Sequence, residues 1–404
     1  MRVIPIVSDN GIAQAQVKRA KTGLTSLPAL SLYVHVPWCV RKCPYCDFNS
    51  HQVPEQLPER EYLDALTCDL DQALPDIWGR QVHTIFIGGG TPSLLSAQAI
   101  DEMLAVIRAR LNLWPDAEIT LEANPGASES ERFKSYVASG VNRLSLGIQS
   151  FNDNHLKALG RVHDSAQAER AIEMALNAAP RVNLDLMYGL PEQTVAQCRD
   201  DLNKMVSFGA EHLSVYQLTL EPQTVFAKYP PILPADDVMA AMEDAIEEVV
   251  EQGGWRRYEV SAYAKPNAHA RHNMNYWTFG DYLGIGPGAH SKLSFPDKIV
   301  RQARTRNPAQ WMEASARLDG SHISEQRELG ADDLPFEFFL NALRLRDGVE
   351  IDLFNAHTGL HLSDILEPVQ IAADKGLLHI DHQTIRATAL GWRHLNDLQA
   401  IFLK

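Results

Sequence analysis

The chain has 404 residues, of which 45% are hydrophobic and 22% charged, and a formal net charge of −14. This is an ordinary globular composition with enough chain for two or three domains. The negative charge argues against extended contact with nucleic-acid phosphates, and no run of about 18 apolar residues exists to span a bilayer.

Residues 1–28 mix Arg2, Lys18, Arg19 and Lys21 with Gly, Ser and Gln, and their apolar residues show little period. They are expected to form a poorly ordered tail, with an organellar transit peptide as the alternative. An apolar run, Leu32–Val36, then reads as a strand and leads directly into Cys39-Val-Arg-Lys-Cys43-Pro-Tyr-Cys46. Three of the five cysteines fall within these eight residues. Three thiolates on one short loop can each hold a corner iron of a 4Fe–4S cubane, leaving the fourth iron open to a ligand. A zinc knuckle completed by His51 is the competing reading. Cys68 and Cys198 lie in helix-like stretches and read as packing residues. Clustered cysteines without a secretory segment point to a reducing cytoplasm, and peripheral association with a membrane stays open.

Further strand-like runs follow at Thr84–Ile87, Glu118–Leu121, Arg143–Leu146, Val182–Met187 and His212–Leu218. Amphipathic stretches such as Asp101–Leu111, Ser165–Ala178 and Val195–Phe208 lie between them. Six βα units in succession imply an α/β fold with a parallel sheet, either doubly wound or a barrel. Polar residues gather at the strand exits: Gly88-Gly89-Gly90-Thr91, Glu122-Ala-Asn124, Gln149-Ser150 and Asp185, with Arg161 beyond the fourth strand. One such residue is usually a solvated strand end, but a series of them reads as the lining of one site. Three glycines admit a ligand close to the backbone.

Residues 29–260 are read as the main domain and 261–330 as a connecting segment. The connection contains His272-Asn273-Met274-Asn275-Tyr276-Trp277, with Lys265, Arg271, Lys292 and a second histidine, His290, nearby. Residues 331–404 change to helix, two short strands and a last helix, a winged-helix-like order. Their eleven acidic against six basic residues (net −5) argue against a DNA-reading wing, so a lid or partner-docking role is expected.

The spacing C-x3-C-x2-C, with Tyr45 before the third cysteine, resembles the signature of the radical S-adenosylmethionine (SAM) superfamily. HVPWCVRKCPYCDF, IFIGGGTPS, LEANPG, RLSLGIQSF, LGRVH and NLDLMYGLP are similar to the oxygen-independent coproporphyrinogen dehydrogenase group, and within it to the heme-chaperone (HemW) branch. The resemblance implies an incomplete (β/α)6 TIM-like barrel followed by a mainly helical, winged-helix-like C-terminal domain. It implies a 4Fe–4S cluster on Cys39, Cys43 and Cys46, SAM on the open iron, and reductive cleavage of SAM to a 5′-deoxyadenosyl radical. It also implies SAM contacts at Tyr33, Gly89, Gly90, Thr91, Glu122, Gln149, Arg161 and Asp185. Two features separate the branches. The decarboxylating enzymes resemble C-x3-C-x2-C-x-C, whereas this chain has Phe48 at the last position. The H-N-x-x-Y-W segment resembles the heme-associated segment of the chaperones, which makes His272 the expected heme ligand. The expected function is a heme chaperone served by an electron donor and a heme-acceptor protein, without coproporphyrinogen dehydrogenase activity. A radical-SAM oxidoreductase acting on a porphyrinogen is the alternative.

Overall fold

A computed structural model describes residues 23, 24, 26–126 and 131–403, so the expected tail lies almost wholly outside the described residues. Six strands run parallel and lie side by side in chain order: β1 (Leu30–Val36), β2 (Gln81–Gly89), β3 (Asn112–Ala123), β4 (Arg143–Gln149), β5 (Arg181–Tyr188) and β6 (His212–Gln217). The crossovers are α1 (Glu59–Ile77) and the helices Ala97–Arg110, Phe133–Ala138, Ser165–Ala178 and Val195–Ser207. Two of these helices start at reciprocal caps written in the sequence. Asp164 accepts from the Gln167 backbone N–H at 2.8 Å while Gln167 accepts from the Asp164 N–H at 3.0 Å, and Thr194 with Gln197 repeats the device. Leucine, isoleucine and valine side chains of these strands pack outward against the helices in one continuous core.

The sheet is wider than the six expected strands. β7 (Asp281–Ile285) returns to pair parallel with the free edge of β1, matching Leu30 to Asp281. β8 (His290–Ser294), β9 (Ile299–Arg304) and β10 (Ile323–Glu328) extend that edge antiparallel. On the opposite edge Ala262–Ala264 pairs with β6 and Arg256–Arg257 pairs beyond it, giving twelve strands in all. Residues 261–330 are therefore no plain connection but supply strands to both edges. β6 does not pair with β1, so the fold is the expected incomplete barrel.

The C-terminal region has its own core around Phe338, Phe339, Phe354 and Phe402, joined to the sheet side through Phe279 and Ile299. Its helices Leu334–Ala342, Ile351–Thr358 and Leu366–Asp374 precede an antiparallel strand pair, Leu378–Ile380 with Thr384–Ala387, and two short final helices. The expected order of helix, strands and helix is present, with a third strand, Val349–Glu350, added to the pair.

A buried ion network pins α1 to the sheet extension. Asp69 accepts from Arg304 Nε at 2.9 Å, His322 Nε2 at 3.1 Å, Trp311 Nε1 at 3.1 Å and the Gly286 N–H at 3.0 Å. Burial alone would raise this carboxyl, but Arg304 and His322 hold it below the usual range. Asp69→Ala strands the Arg304 guanidinium, whose side chain is 1% exposed. A loss of roughly 3–5 kcal/mol is expected, read as a lower denaturation midpoint at unchanged slope.

Candidate cluster and cofactor site

The carboxyl ends of the strands surround a cavity of about 440 Å³. After β1 the chain forms the cysteine loop, with Trp38–Cys39 pairing briefly with His51–Gln52. All three cysteines are half-buried and line the cavity together with Gly89, Gly90, Thr91, Glu122, Gln149, Arg161 and Asp185. The structure thus brings ten of the expected cluster and SAM residues to one space. Phe48, 57% exposed, stands at its mouth.

Burial pushes the Cys39 and Cys46 thiols up, opposed at Cys39 by the Thr91 hydroxyl 3.5 Å from the sulfur. Thiols held neutral in this way ionise when a metal takes the proton's place. Among the described residues, no three His, Cys, Asp or Glu side chains converge on a point as a single ion would require. His51 instead lies 3.4 Å from the Asn49 side-chain oxygen. This leaves the zinc knuckle without a ligand set, whereas a cubane asks each thiolate to reach a separate iron.

Arg161 sits beside the cysteines. Its Nη2 donates to Asn124 Oδ1 at 2.6 Å and to the Gly147 carbonyl at 2.7 Å, and Nη1 lies 3.8 Å from Cys43 Sγ. Its Nε is buried with no partner among the described residues. A fixed cation with a free donor beside three thiols suits a ligand carboxylate. On the far wall, burial and then the neighbouring Asp185 push the Glu122 carboxyl up to about 7. Glu122 accepts from the Gly89 N–H at 3.0 Å, and Asp185 is held by Asn183 at 2.7 Å and Ser145 at 3.3 Å. A side chain at Gly90 would meet the Trp38 carbonyl at 2.5 Å, so glycine lets β2's exit lie against the cysteine loop.

Tyr33 is not part of this lining. It lies one layer below, stacked on Phe86, and its hydroxyl donates to His35 Nδ1 at 2.9 Å. His35 Nε2 in turn donates to the Asn49 carbonyl at 2.9 Å, which fixes the tautomer. Asn49 ties the end of the cysteine loop to the sheet extension by donating to the Pro287 carbonyl at 2.9 Å and the Arg306 carbonyl at 2.8 Å. Sequence reading missed His35 and Asn49, which carry no metal-ligand spacing; only their flanking of the cysteines marks them.

His272 is also elsewhere. It opens the helix α2 (Arg271–Trp277), which sits against the amino-terminal part of the sheet, and it is 1% exposed. Its Nδ1 is 2.7 Å from Thr84 Oγ1 and its Nε2 3.0 Å from the Tyr276 hydroxyl. Burial, then Arg143, lowers its pKa to about 3, so the ring is neutral. Both nitrogens of the expected heme ligand are thus engaged by protein hydroxyls. Of the nearby cations, Lys292 is buried against Asp281 at 2.9 Å and Lys265 bonds the Gly209 carbonyl at 2.9 Å. His290 is exposed at the start of β8.

Residues 33–205 match the Radical SAM superfamily and residues 329–394 the HemN C-terminal domain. The chain is 46% identical over 383 residues to a heme chaperone HemW of Escherichia coli strain K12, covering 94% of this chain and 100% of that one. It is 36% identical over 387 residues to a mouse mitochondrial protein named radical S-adenosyl methionine domain-containing protein 1, covering 92% and 86%. Among solved structures, coproporphyrinogen III oxidase (HemN) of Escherichia coli shares the fold with a TM-score of 0.78 at 24% identity, covering 93% of this chain and 90% of that one.

Proposed function

This chain belongs to the HemW family of the radical SAM superfamily, and from that premise we propose that it binds heme and passes it to an acceptor protein. The observation that carries this reading is the 46% identity, along nearly the whole of both chains, to a protein named a heme chaperone. The alternative, a porphyrinogen oxidoreductase, is disfavoured by Phe48 at the position where the decarboxylating branch resembles a cysteine-bearing pattern.

In this reading Cys39, Cys43 and Cys46 hold three irons of a 4Fe–4S cluster. When bound, the cluster and SAM supply one-electron chemistry at an open iron. Arg161 takes the SAM carboxylate, and the backbone of Gly89, Gly90 and Thr91 packs against its methionine end. Glu122, Gln149 and Asp185 offer acceptors to its ammonium and hydroxyl groups. Tyr33 acts from below, holding His35 and through it the end of the cysteine loop. The partners are a heme acceptor and a reductant for the cluster. The setting is the cytoplasm, where all five cysteines, free in this structure, stay reduced. Among the described residues, no helix is long and apolar enough to cross a membrane.

The purified protein is expected to give a saturable Soret shift with stoichiometric heme. Given SAM and a reductant without oxygen, it should leave coproporphyrinogen unconverted. Robust formation of a vinyl product would overturn the chaperone reading in favour of the oxidoreductase.

A further inference from the structure

The helix Val195–Ser207 carries an acid in its middle, Asp201, that is only 3% exposed and does not line the cavity. A carboxylate is costly to bury unless its oxygens are hydrogen-bonded. Both oxygens of Asp201 serve a single turn. Oδ2 accepts from the Ser150 hydroxyl at 2.7 Å and Oδ1 from the Phe151 N–H at 2.8 Å. The Ser150 oxygen itself accepts from the Asn152 N–H at 3.0 Å, which commits the hydroxyl proton to Asp201. Burial pushes the Asp201 carboxyl up to about 6, so at neutral pH it is ionised and acts only as an acceptor.

That turn follows directly on Gln149, the last residue of β4. Gln149 has a φ of +70°, in the left-handed region that strains any residue with a side chain. Among the described residues, it is the one non-glycine residue of positive φ that lines the cavity. β4 also loses register with β5 here. Gly147 pairs with Asp185 and Gln149 with Leu186, which leaves Ile148 over as a bulge, and bulges re-aim side chains. A strained backbone of this kind persists only where its surroundings hold it. On the near side His163 Nε2 donates to the Ile148 carbonyl at 3.1 Å; on the far side stands Asp201. The Tyr216 hydroxyl, donating to Gln149 Oε1 at 2.6 Å, then fixes the side chain that the backbone has presented.

We propose that Asp201 is a positioning residue for SAM: from the neighbouring helix it clamps the turn after β4 and so keeps Gln149 left-handed, with its side chain on the cavity. The inference rests on the reading of this cavity as the SAM site. Asp201 makes no contact with the ligand and acts through Gln149 alone.

The test is calorimetric titration of SAM into the full chain with its cluster reconstituted. It compares wild type, Asp201→Ala, Asp201→Asn, Gln149→Gly and the combination of Gln149→Gly with Asp201→Ala. Iron content and denaturation midpoint are measured on the same samples. Asp201→Ala should weaken SAM binding by roughly ten-fold with the cluster retained. Asp201→Asn should recover most of that loss, because an amide oxygen still accepts from Phe151 and its NH2 can donate to a rotated Ser150 hydroxyl. Glycine takes a φ of +70° without strain, so in the Gln149→Gly background Asp201→Ala should add little further loss. If Asp201→Ala does not fold, Ser150→Ala, which breaks one of the two bonds from the turn's side, carries the same comparison between backgrounds. An equal loss in both backgrounds would mean that Asp201 supports the fold at large, and the proposal fails. Unchanged SAM affinity in a folded, cluster-bearing Asp201→Ala protein overturns it as well, with the SAM site itself intact. If wild type with its cluster binds no SAM, the reading of the cavity fails and this inference with it.

Discussion

Alanine at Cys39, Cys43 or Cys46 should abolish the iron–sulfur cluster, while alanine at Cys68 or Cys198 should leave it intact. Anaerobic reconstitution of the wild type should give about four irons per chain with the absorption of a cubane. The three cysteines of the loop line one cavity, and each is the sole candidate for its own iron. Loss of any one should leave a second iron without a thiolate and the cluster unable to assemble. Cys68 lies in α1 and Cys198, 1% exposed, in the helix Val195–Ser207, both away from the cavity. Iron and acid-labile sulfide assays decide the matter. An essential cysteine outside the loop would overturn the open-iron arrangement.

Arg161→Ala should weaken SAM binding by more than ten-fold while the cluster still assembles. Removing the charged partner of a desolvated carboxylate costs roughly 2–5 kcal/mol, and each 1.4 kcal/mol is about a factor of ten. Arg161 also bridges Asn124 and Gly147, so part of the loss comes through the loop that follows β3. Arg161→Lys separates the two contributions: it keeps a charge but cannot span both acceptors and a ligand in one plane. Calorimetry should place lysine between wild type and alanine. SAM affinity unchanged in a folded, cluster-bearing Arg161→Ala protein would remove this residue from the site.

The cysteines and the strand exits were legible because their chemistry is local. Each polar exit follows an apolar run, and parallel strands gather their carboxyl ends whatever the details of packing. Tyr33 lies below the lining because it stands inside β1, two residues before His35 on the same face of the strand. The motif carries it near the cysteines in sequence, but its place in mid-strand sets it at the layer of Phe86. His272 shows a different limit. Its motif is distinctive, yet whether the first turn of α2 faces inward depends on Glu118, whose carboxylate accepts from the His272 N–H at 3.0 Å across 154 residues. Nothing local announces such a contact. β7 escaped notice for the same reason, since Asp281-Tyr-Leu-Gly-Ile285 becomes a strand by finding β1.

The pairing of β1 with β7 also sets an order of events during synthesis. The cysteine loop is made early, but β1 gains its second neighbour only when Asp281–Ile285 has been made, and Asn49 waits for Arg306, 257 residues on. Contacts so distant along the chain close slowly, and ribosomal growth delays them further. The nascent protein therefore exposes three reactive thiols for most of its elongation, and the scaffold that fixes them is finished near the end. A cluster on these cysteines is in consequence expected to be inserted late, and factors that shield thiols on emerging chains should raise the yield of loaded protein.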